Sequence, residues 1–158
     1  MTANAPPKSI NIHGTGLVLD GAGVLLRGPS GAGKSLLALE LLDRQASGGK
    51  AAMLVADDRV DLAVENGAVV MRAPKNIAGL VELRGRGIVR RPFVATGKLE
   101  LVVDLVDELT RMLEDENLTT DLLGVTLPRC PVPRRGIIDS AHQMLLVAEA
   151  LDALGLRR

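Results

Sequence analysis

Aromatic side chains are almost missing from this sequence, which has no tryptophan, no tyrosine and one phenylalanine, Phe93. Whatever core it folds around must therefore be aliphatic. Cysteine is nearly absent too. Cys130, the one cysteine, can close no intrachain disulfide, which suits a reducing compartment, and between Arg129 and Pro131 it reads as an inert loop thiol. Neither sign of charge is in excess, with 19 Lys plus Arg against 19 Asp plus Glu, so no global field points to nucleic acid or an anionic membrane as a partner. No apolar run approaches the ~18 residues needed to cross a bilayer, and residues 1–9 lack the apolar stretch of a secretory signal. The expected location is cytoplasmic. At 158 residues the chain has the length of one domain able to bury a sizeable core.

What the sequence does contain is Gly28-Pro29-Ser30-Gly31-Ala32-Gly33-Lys34-Ser35, a complete G-x-x-x-x-G-K-S pattern. It follows Val24-Leu25-Leu26, which reads as a buried strand, and opens into Leu36-Leu37-Ala38-Leu39-Glu40-Leu41-Leu42, which reads as a helix. Glycines let the backbone curl until successive N–H groups point at phosphate oxygens, and the helix that follows adds the positive end of its dipole. In that arrangement Gly28 to Ser35 cradle the phosphates of a nucleoside triphosphate, Lys34 reaches the β and γ groups, and Ser35 ligates Mg²⁺.

Short apolar runs alternate with helical segments, which predicts an α/β fold built on a mixed sheet. Residues 1–9 read as a disordered leader, with Pro6 and Pro7 blocking regular structure, and residues 10–158 as the folded domain. Residues 17–19 and 24–26 form a predicted hairpin about the Asp20-Gly21-Ala22-Gly23 turn. A helix is expected from Lys34 to about Gln45, apolar nearly all round and so buried on two sides, and Gly48-Gly49 ends it. Residues 51–56 read as a buried strand ending in Asp57-Asp58. A second hairpin follows, with Val60, Leu62 and Val64 alternating before Asn66-Gly67 and Ala68-Val69-Val70-Met71 returning. Residues 81–83 read as a short strand running into a glycine-broken basic loop, and 99–106 as another strand. The prolines Pro128, Pro131 and Pro133 read as a loop carrying Arg129, Arg134 and Arg135. Ser140 with Gln143 reads as the capping box of a last helix whose apolar side holds Leu145, Ala148, Leu151 and Leu154, stopped at Gly155.

An apolar strand ending in Asp is the Walker B arrangement, which holds Mg²⁺ or its water shell beside such a loop. Asp57 and Asp58 leave the strand end in different directions, so one carboxylate can serve a metal while the other accepts a proton from an attacking hydroxyl. Glu82, Arg84 and Arg86 place a carboxylate and two guanidinium groups on the loop relaxed by Gly85 and Gly87. His13, near a strand start, is either a structural hydrogen-bond partner or a participant in the site.

Taken in order, these fragments resemble the HPr kinase/phosphorylases, bacterial serine kinases of the phosphotransferase-system carrier protein HPr. The likeness is carried by Ile12-His13-Gly14, by Gly23 through Ser35 with the following Leu-Ala-Leu-Glu-Leu, by Leu54-Val55-Ala56-Asp57-Asp58-Arg59-Val60 and by Glu82-Leu83-Arg84-Gly85-Arg86-Gly87-Ile88. It runs over residues 10–136. The resemblance implies a P-loop α/β domain similar to phosphoenolpyruvate carboxykinase, with ATP and Mg²⁺ as cofactors and an HPr-like protein as substrate. It further implies that His13 and Lys34 belong to the active site, that Ser35, Asp57 and Glu82 are metal ligands, and that Asp58 is the proton acceptor of phosphorylation and donor of the reverse reaction. Arg111 matches a functional arginine. Relatives of greater length form hexamers, and the chain looks like the short form that lacks their N-terminal domain.

Departures from the family pattern are as informative. Leu36 stands where many relatives carry Glu. The Val-Arg-Pro-Gly-Arg-Asn loop tied to dephosphorylation is present only as Val132-Pro133-Arg134-Arg135-Gly136, which puts the phosphorylase direction in question. Two rival readings use the same loop: a small-molecule kinase, which needs a lid that residues 65–90 do not supply, and a non-catalytic nucleotide sensor, against which the Asp57-Asp58 pair argues.

Overall fold

The computed structural model describes residues 8–74 and 78–155. In chain order the elements are β1 (Ser9–His13), β2 (Thr15–Leu19), β3 (Ala22–Arg27), α1 (Lys34–Ser47), β4 (Ala52–Ala56), β5 (Arg59–Glu65), β6 (Ala68–Arg72), β7 (Leu80–Leu83), β8 (Gly87–Arg90) and β9 (Thr96–Val106). A single 3-10 turn at Asp115–Leu118 then leads into β10 (Thr119–Leu122), β11 (Val125–Pro133) and α2 (Ser140–Ala153). Among the described residues nine of the strands form one sheet in the order β1-β5-β6-β9-β3-β2-β4, with β11 also on β9 and β10 on β11, while β7 and β8 pair apart from it. The expected mixed α/β fold is the observed one.

The topology explains where chemistry can gather. Strand β2 runs antiparallel to both β3 and β4, and β9 runs parallel to β3 and to β11, so β4, β3, β9 and β11 all point the same way. Their carboxyl ends, together with the start of β2, therefore lie along one edge of the sheet. One sheet face packs Val24, Leu26, Leu101, Val103 and Val132 against α1 and α2, burying Leu37, Leu41, Met144 and Val147. On the other face Leu25, Val60, Leu62, Met71 and Val102 form a second aliphatic cluster with Leu122 and Leu127. Full burial of such side chains contributes about 1.5–3 kcal/mol each, enough to dispense with rings in the core.

Both sequence-predicted hairpins are present. Asp20 and Gly21 turn β2 into β3, and Asn66 and Gly67 turn β5 into β6, in each case with two successive positive φ angles. These are the angles that a two-residue turn between twisted strands requires. Helix α1 is covered on two sides as expected, by the β2–β4 region and by the β7–β8 hairpin, whose Val81 joins the same cluster.

Several expectations are corrected. Ser9, placed in the leader, is the first residue of β1, which pairs with β5, and residues 1–7 lie outside the described residues. The basic loop after Leu83 is shorter than expected, because Gly87–Arg90 returns as β8. The proline-bracketed segment is a strand. Alternation of β11 turns Arg134 N–H to the Val106 carbonyl of β9, so residues of the other parity, Pro131 and Pro133, face away from β9, where their missing N–H is not needed. Cys130 consequently lies in a strand, buried, and burial pushes its thiol up to about 11 despite the nearby Arg129 charge. At α2 the cap is Asp139, whose carboxylate accepts from His142 N–H at 2.9 Å, not Ser140. Gln143 is instead buried and donates Nε2–H to the Pro133 carbonyl at 3.0 Å. The buried face of α2 is Gln143, Met144, Val147 and Leu151, so Leu145 and Ala148 point to solvent.

No described helix is long and apolar enough to cross a membrane.

Candidate functional site

The turn from β3 into α1 is built from the glycine-rich segment. Gly31 and Gly33 have φ of 85° and 95°, in the left-handed region that L side chains avoid, and nothing lies within 4 Å of the position a Cβ would take on either. Gly33 is the N-cap of α1 and no side chain caps that end, so the first N–H groups of the helix are left for an outside acceptor. The Lys34 ammonium folds back across the turn, donating to the Gly28 carbonyl at 2.7 Å and the Pro29 carbonyl at 3.1 Å. Two of its three hydrogens are thereby used and one remains.

Beyond β4 the two aspartates have opposite surroundings. Asp57 is buried, and three hydroxyl contacts converge on it: Ser35 Oγ at 2.8 Å from Oδ1 and 3.0 Å from Oδ2, and Thr15 Oγ1 at 2.8 Å from Oδ1. A carboxylate only accepts, so both hydroxyls are the donors. Asp58 carries its side chain out to solvent, 76% exposed, on a backbone with φ of 70°. That strained turn is held by Gly14 N–H donating to the Asp58 carbonyl at 3.1 Å and by Arg59 N–H donating to the Asp57 carbonyl at 2.8 Å. His13 Nδ1 lies 3.8 Å from Asp58 Oδ1, too long for a hydrogen bond and close enough for ionic attraction when the ring is protonated.

Thus His13, Lys34, Ser35, Asp57 and Asp58 stand on one edge of the sheet, supplied by the β1–β2 junction, the β3–α1 turn and the end of β4. Among the described residues no hydrogen bond or ion pair joins Glu82, Arg84, Arg86 or Arg111 to these five. Glu82 is exposed on β7 and, among the described residues, makes no hydrogen bond to Ser35 or Asp57; Arg111 is exposed on the segment between β9 and β10. The described residues hold no cluster of three His, Cys, Asp or Glu side chains arranged around a metal. Oxygen donors suited to a hard cation are nevertheless adjacent in Ser35 and Asp57. Arg134 and Arg135 follow β11 at the same sheet edge, with Arg134 Nε 2.7 Å from Asp107 Oδ1 and Arg135 ion-paired to Glu40 of α1.

Two groups were not legible in advance. Thr15 is fully buried at the start of β2, and its only sequence signal is its place after His13-Gly14. Arg27, the last residue of β3, donates to Asp104 at 2.7 and 2.8 Å, and Arg129 of β11 donates to the same carboxylate at 2.5 Å. Burial alone would raise the Asp104 carboxyl, but the hydrogen bonds and charges of the two guanidinium groups outweigh it and hold it below the ordinary range. This clamp ties together β3, β9 and β11, three strands whose carboxyl ends lie along the edge of the sheet that carries the site.

Residues 5–151 match the family model for the HPr Serine kinase C-terminal domain. Curated relatives include the HPr kinase/phosphorylase of Leptothrix cholodnii, 35% identical in an alignment 151 residues long that covers 87% of this chain and 43% of that protein. The HPr kinase/phosphorylase of Lactobacillus acidophilus is 37% identical in an alignment 139 residues long that covers 80% of this chain and 41% of that protein. The chain thus spans about two fifths of the length of these relatives. Among solved structures, the Hpr(Ser) kinase/phosphatase from Coxiella burnetii superimposes with a TM-score of 0.73 at 28% identity, covering 92% of this chain and 97% of that one.

Proposed function

The chain belongs to the HPr Serine kinase C-terminal domain family, and from that premise we propose that it is an ATP- and Mg²⁺-dependent kinase that phosphorylates a serine of an HPr-like carrier protein. Residues 10–158 act in this reading as one P-loop kinase domain, related in fold to phosphoenolpyruvate carboxykinase and working in the cytoplasm. The observation that carries it is the division of labour between adjacent aspartates: Asp57 buried against two hydroxyls, Asp58 presented to solvent beside His13.

The backbone of residues 28–35 cradles the phosphates, and the remaining Lys34 hydrogen reaches them. Ser35 and Asp57 are the residues that hold Mg²⁺, with Glu82 a further ligand by its place in the Glu-Leu-Arg-Gly-Arg-Gly-Ile segment. Bound Mg²⁺ supplies positive charge against the transferring phosphoryl group. Asp58 Oδ accepts the proton of the substrate serine hydroxyl as its oxygen attacks, and His13 lies where it can stabilise and orient that carboxylate. An exposed base suits a hydroxyl offered on the surface of a protein, which a closed small-molecule pocket would exclude. Arg111 is proposed to add charge neutralisation. The reverse step, attack of inorganic phosphate on phosphoserine with release of pyrophosphate, uses the same groups with Asp58 returning the proton to serine.

Incubating the purified protein with radiolabelled ATP and an HPr-like carrier tests this. Acid-stable, alkali-labile label on the carrier is the expected result. Label on a small molecule instead, or nucleotide binding with no transfer to any acceptor, overturns it.

A further inference from the structure

Thr15 has no part in the reaction as set out above, yet it is fully buried and its hydroxyl is aimed at a carboxylate. We propose that Thr15 is a positioning residue that fixes the rotation of the Asp57 carboxylate, so that Oδ1 is occupied by Thr15 and Oδ2 is left to face the divalent cation. This deepens the proposed function and rests on it.

Three observations carry the inference. Register comes first: Gly16 of β2 pairs with Ala56 of β4, and the strands slip by one residue just after Gly16, so Thr15 and Asp57 are the next residues of each strand toward the sheet edge. Placement there is a consequence of the backbone and not of a chance rotamer. Torsion is the second. The terminal torsion of an aspartate is broad, so rotamer preference alone does not set the angle of the carboxylate plane. Some other group has to. Proton count is the third. Ser35 Oγ lies within hydrogen-bond distance of both Asp57 oxygens, at 2.8 and 3.0 Å, but a hydroxyl has one proton and cannot hold both. Thr15 approaches Oδ1 alone, at 2.8 Å, from a side to which water has no access. Its donation pins a carboxylate plane that Ser35 alone leaves free to swing.

Removing that hydroxyl would let the carboxylate rotate and weaken the cation's share of binding, without touching the loop that holds the phosphates. The probes are ADP and Mg²⁺. Calorimetric titration of ADP, first in EDTA and then over graded Mg²⁺, is run on wild type, Thr15→Val and Thr15→Ser. Thr15→Val is expected to need roughly tenfold more Mg²⁺ to reach half of the metal-dependent gain in ADP affinity, the scale of one hydrogen bond to a charged group. Metal-free ADP affinity should stay within about twofold of wild type, and Thr15→Ser should restore the Mg²⁺ midpoint to within about threefold. In an Asp57→Ala background the Thr15→Val change should have no further effect on the Mg²⁺ midpoint, because the group it acts through is gone. Full metal dependence in Thr15→Val, or equal losses with and without Mg²⁺, overturns the inference while leaving the proposed function standing. Additive effects of the two substitutions do the same. If Thr15→Val does not fold, the decision falls to Thr15→Ser and Thr15→Ala, where a Mg²⁺ midpoint shifted equally in both overturns it. Wild-type protein whose ADP affinity ignores Mg²⁺ overturns the proposed metal site, and this inference with it.

Discussion

Replacing Asp58 by Asn separates chemistry from structure better than any other single change at this site. The side chain is 76% exposed, so nothing in the core loses contact. Its backbone sits at φ 70°, and Asn is one of the few residues that tolerates this region, so the turn that donates Gly14 N–H to the Asp58 carbonyl survives. Global stability should therefore shift by no more than about 0.5 kcal/mol, the range of a neutral surface substitution. The amide cannot take a proton from serine. Loss of a general base typically costs ~10²–10⁴ in rate, equivalent to about 3–5 kcal/mol on the barrier. Asp58→Ala should lose the same activity and also about 1 kcal/mol of stability, because Ala lacks the local hydrogen bonding that eases the left-handed conformation. The assays are steady-state transfer from ATP to the carrier, ADP affinity, and the urea midpoint for all three proteins. A kcat for Asp58→Asn within threefold of wild type refutes the role of base. An Asp58→Asn protein that binds ADP poorly yet turns over bound ATP normally shows a metal or structural group instead.

Local signals made much of this molecule legible. Asn66-Gly67 between alternating apolar runs identified β5 and β6, and the run into Gly28 identified β3 and α1, because in each case turn chemistry and hydrophobic period agreed. Asp57 and Asp58 could be picked out by their place at a strand end, although only the structure distinguishes the buried carboxylate from the open one. Misreadings arose where partners are distant in sequence. Strand β1 is a mostly exposed edge strand held chiefly by pairing with β5 some fifty residues on. Pro128, Pro131 and Pro133 argue for a loop until β9 is known to lie on just one side of residues 129–133. Asp139 outcompeted Ser140 as the cap because Gln143 was recruited into the interior by the Pro133 carbonyl, a contact that no local pattern encodes. Thr15 is the same lesson at the site itself, since its role depends on the register of β2 against β4.

The double substitution Lys34→Ala with Ser35→Ala should abolish transfer and most nucleotide binding, as it removes the ammonium proposed to meet the phosphates and a proposed metal ligand; wild-type turnover would rule the site out. Asp104→Asn should destabilise the fold by about 3 kcal/mol near neutral pH by leaving Arg27 and Arg129 without their carboxylate. Because the folded state holds the Asp104 carboxyl below its ordinary value, that stability is present above the unfolded value, near 3.8, and is lost as pH falls through the lower folded value. Urea midpoints of wild type and Asp104→Asn should then converge only in strong acid, and a gap unchanged down to pH 2 would refute the clamp. The direction of the proposed reaction turns on Arg134 and Arg135. Arg134 is tied to Asp107 at the end of β9 and Arg135 to Glu40 on α1, so both guanidinium groups are anchored along the sheet edge that carries Lys34 and Asp57. These pairs are largely solvent-exposed and contribute at most about 1 kcal/mol to stability, so Arg134→Ala with Arg135→Ala should fold normally. In the proposed reaction, phosphate attacking phosphoserine brings two anions together and depends on such charges, whereas the forward step would already have Lys34 and the residue 28–35 backbone at the ATP phosphates. With the arginines adjacent and not spaced by Pro-Gly, phosphorolysis should be weak in the wild type and should fall further than the forward rate in the double alanine variant. Pyrophosphate release from serine-phosphorylated carrier at millimolar phosphate, set against forward transfer from ATP, measures both. A reverse rate equal to the forward one, or equal loss of both directions in the variant, would show that the arginines do not discriminate between the two attacks.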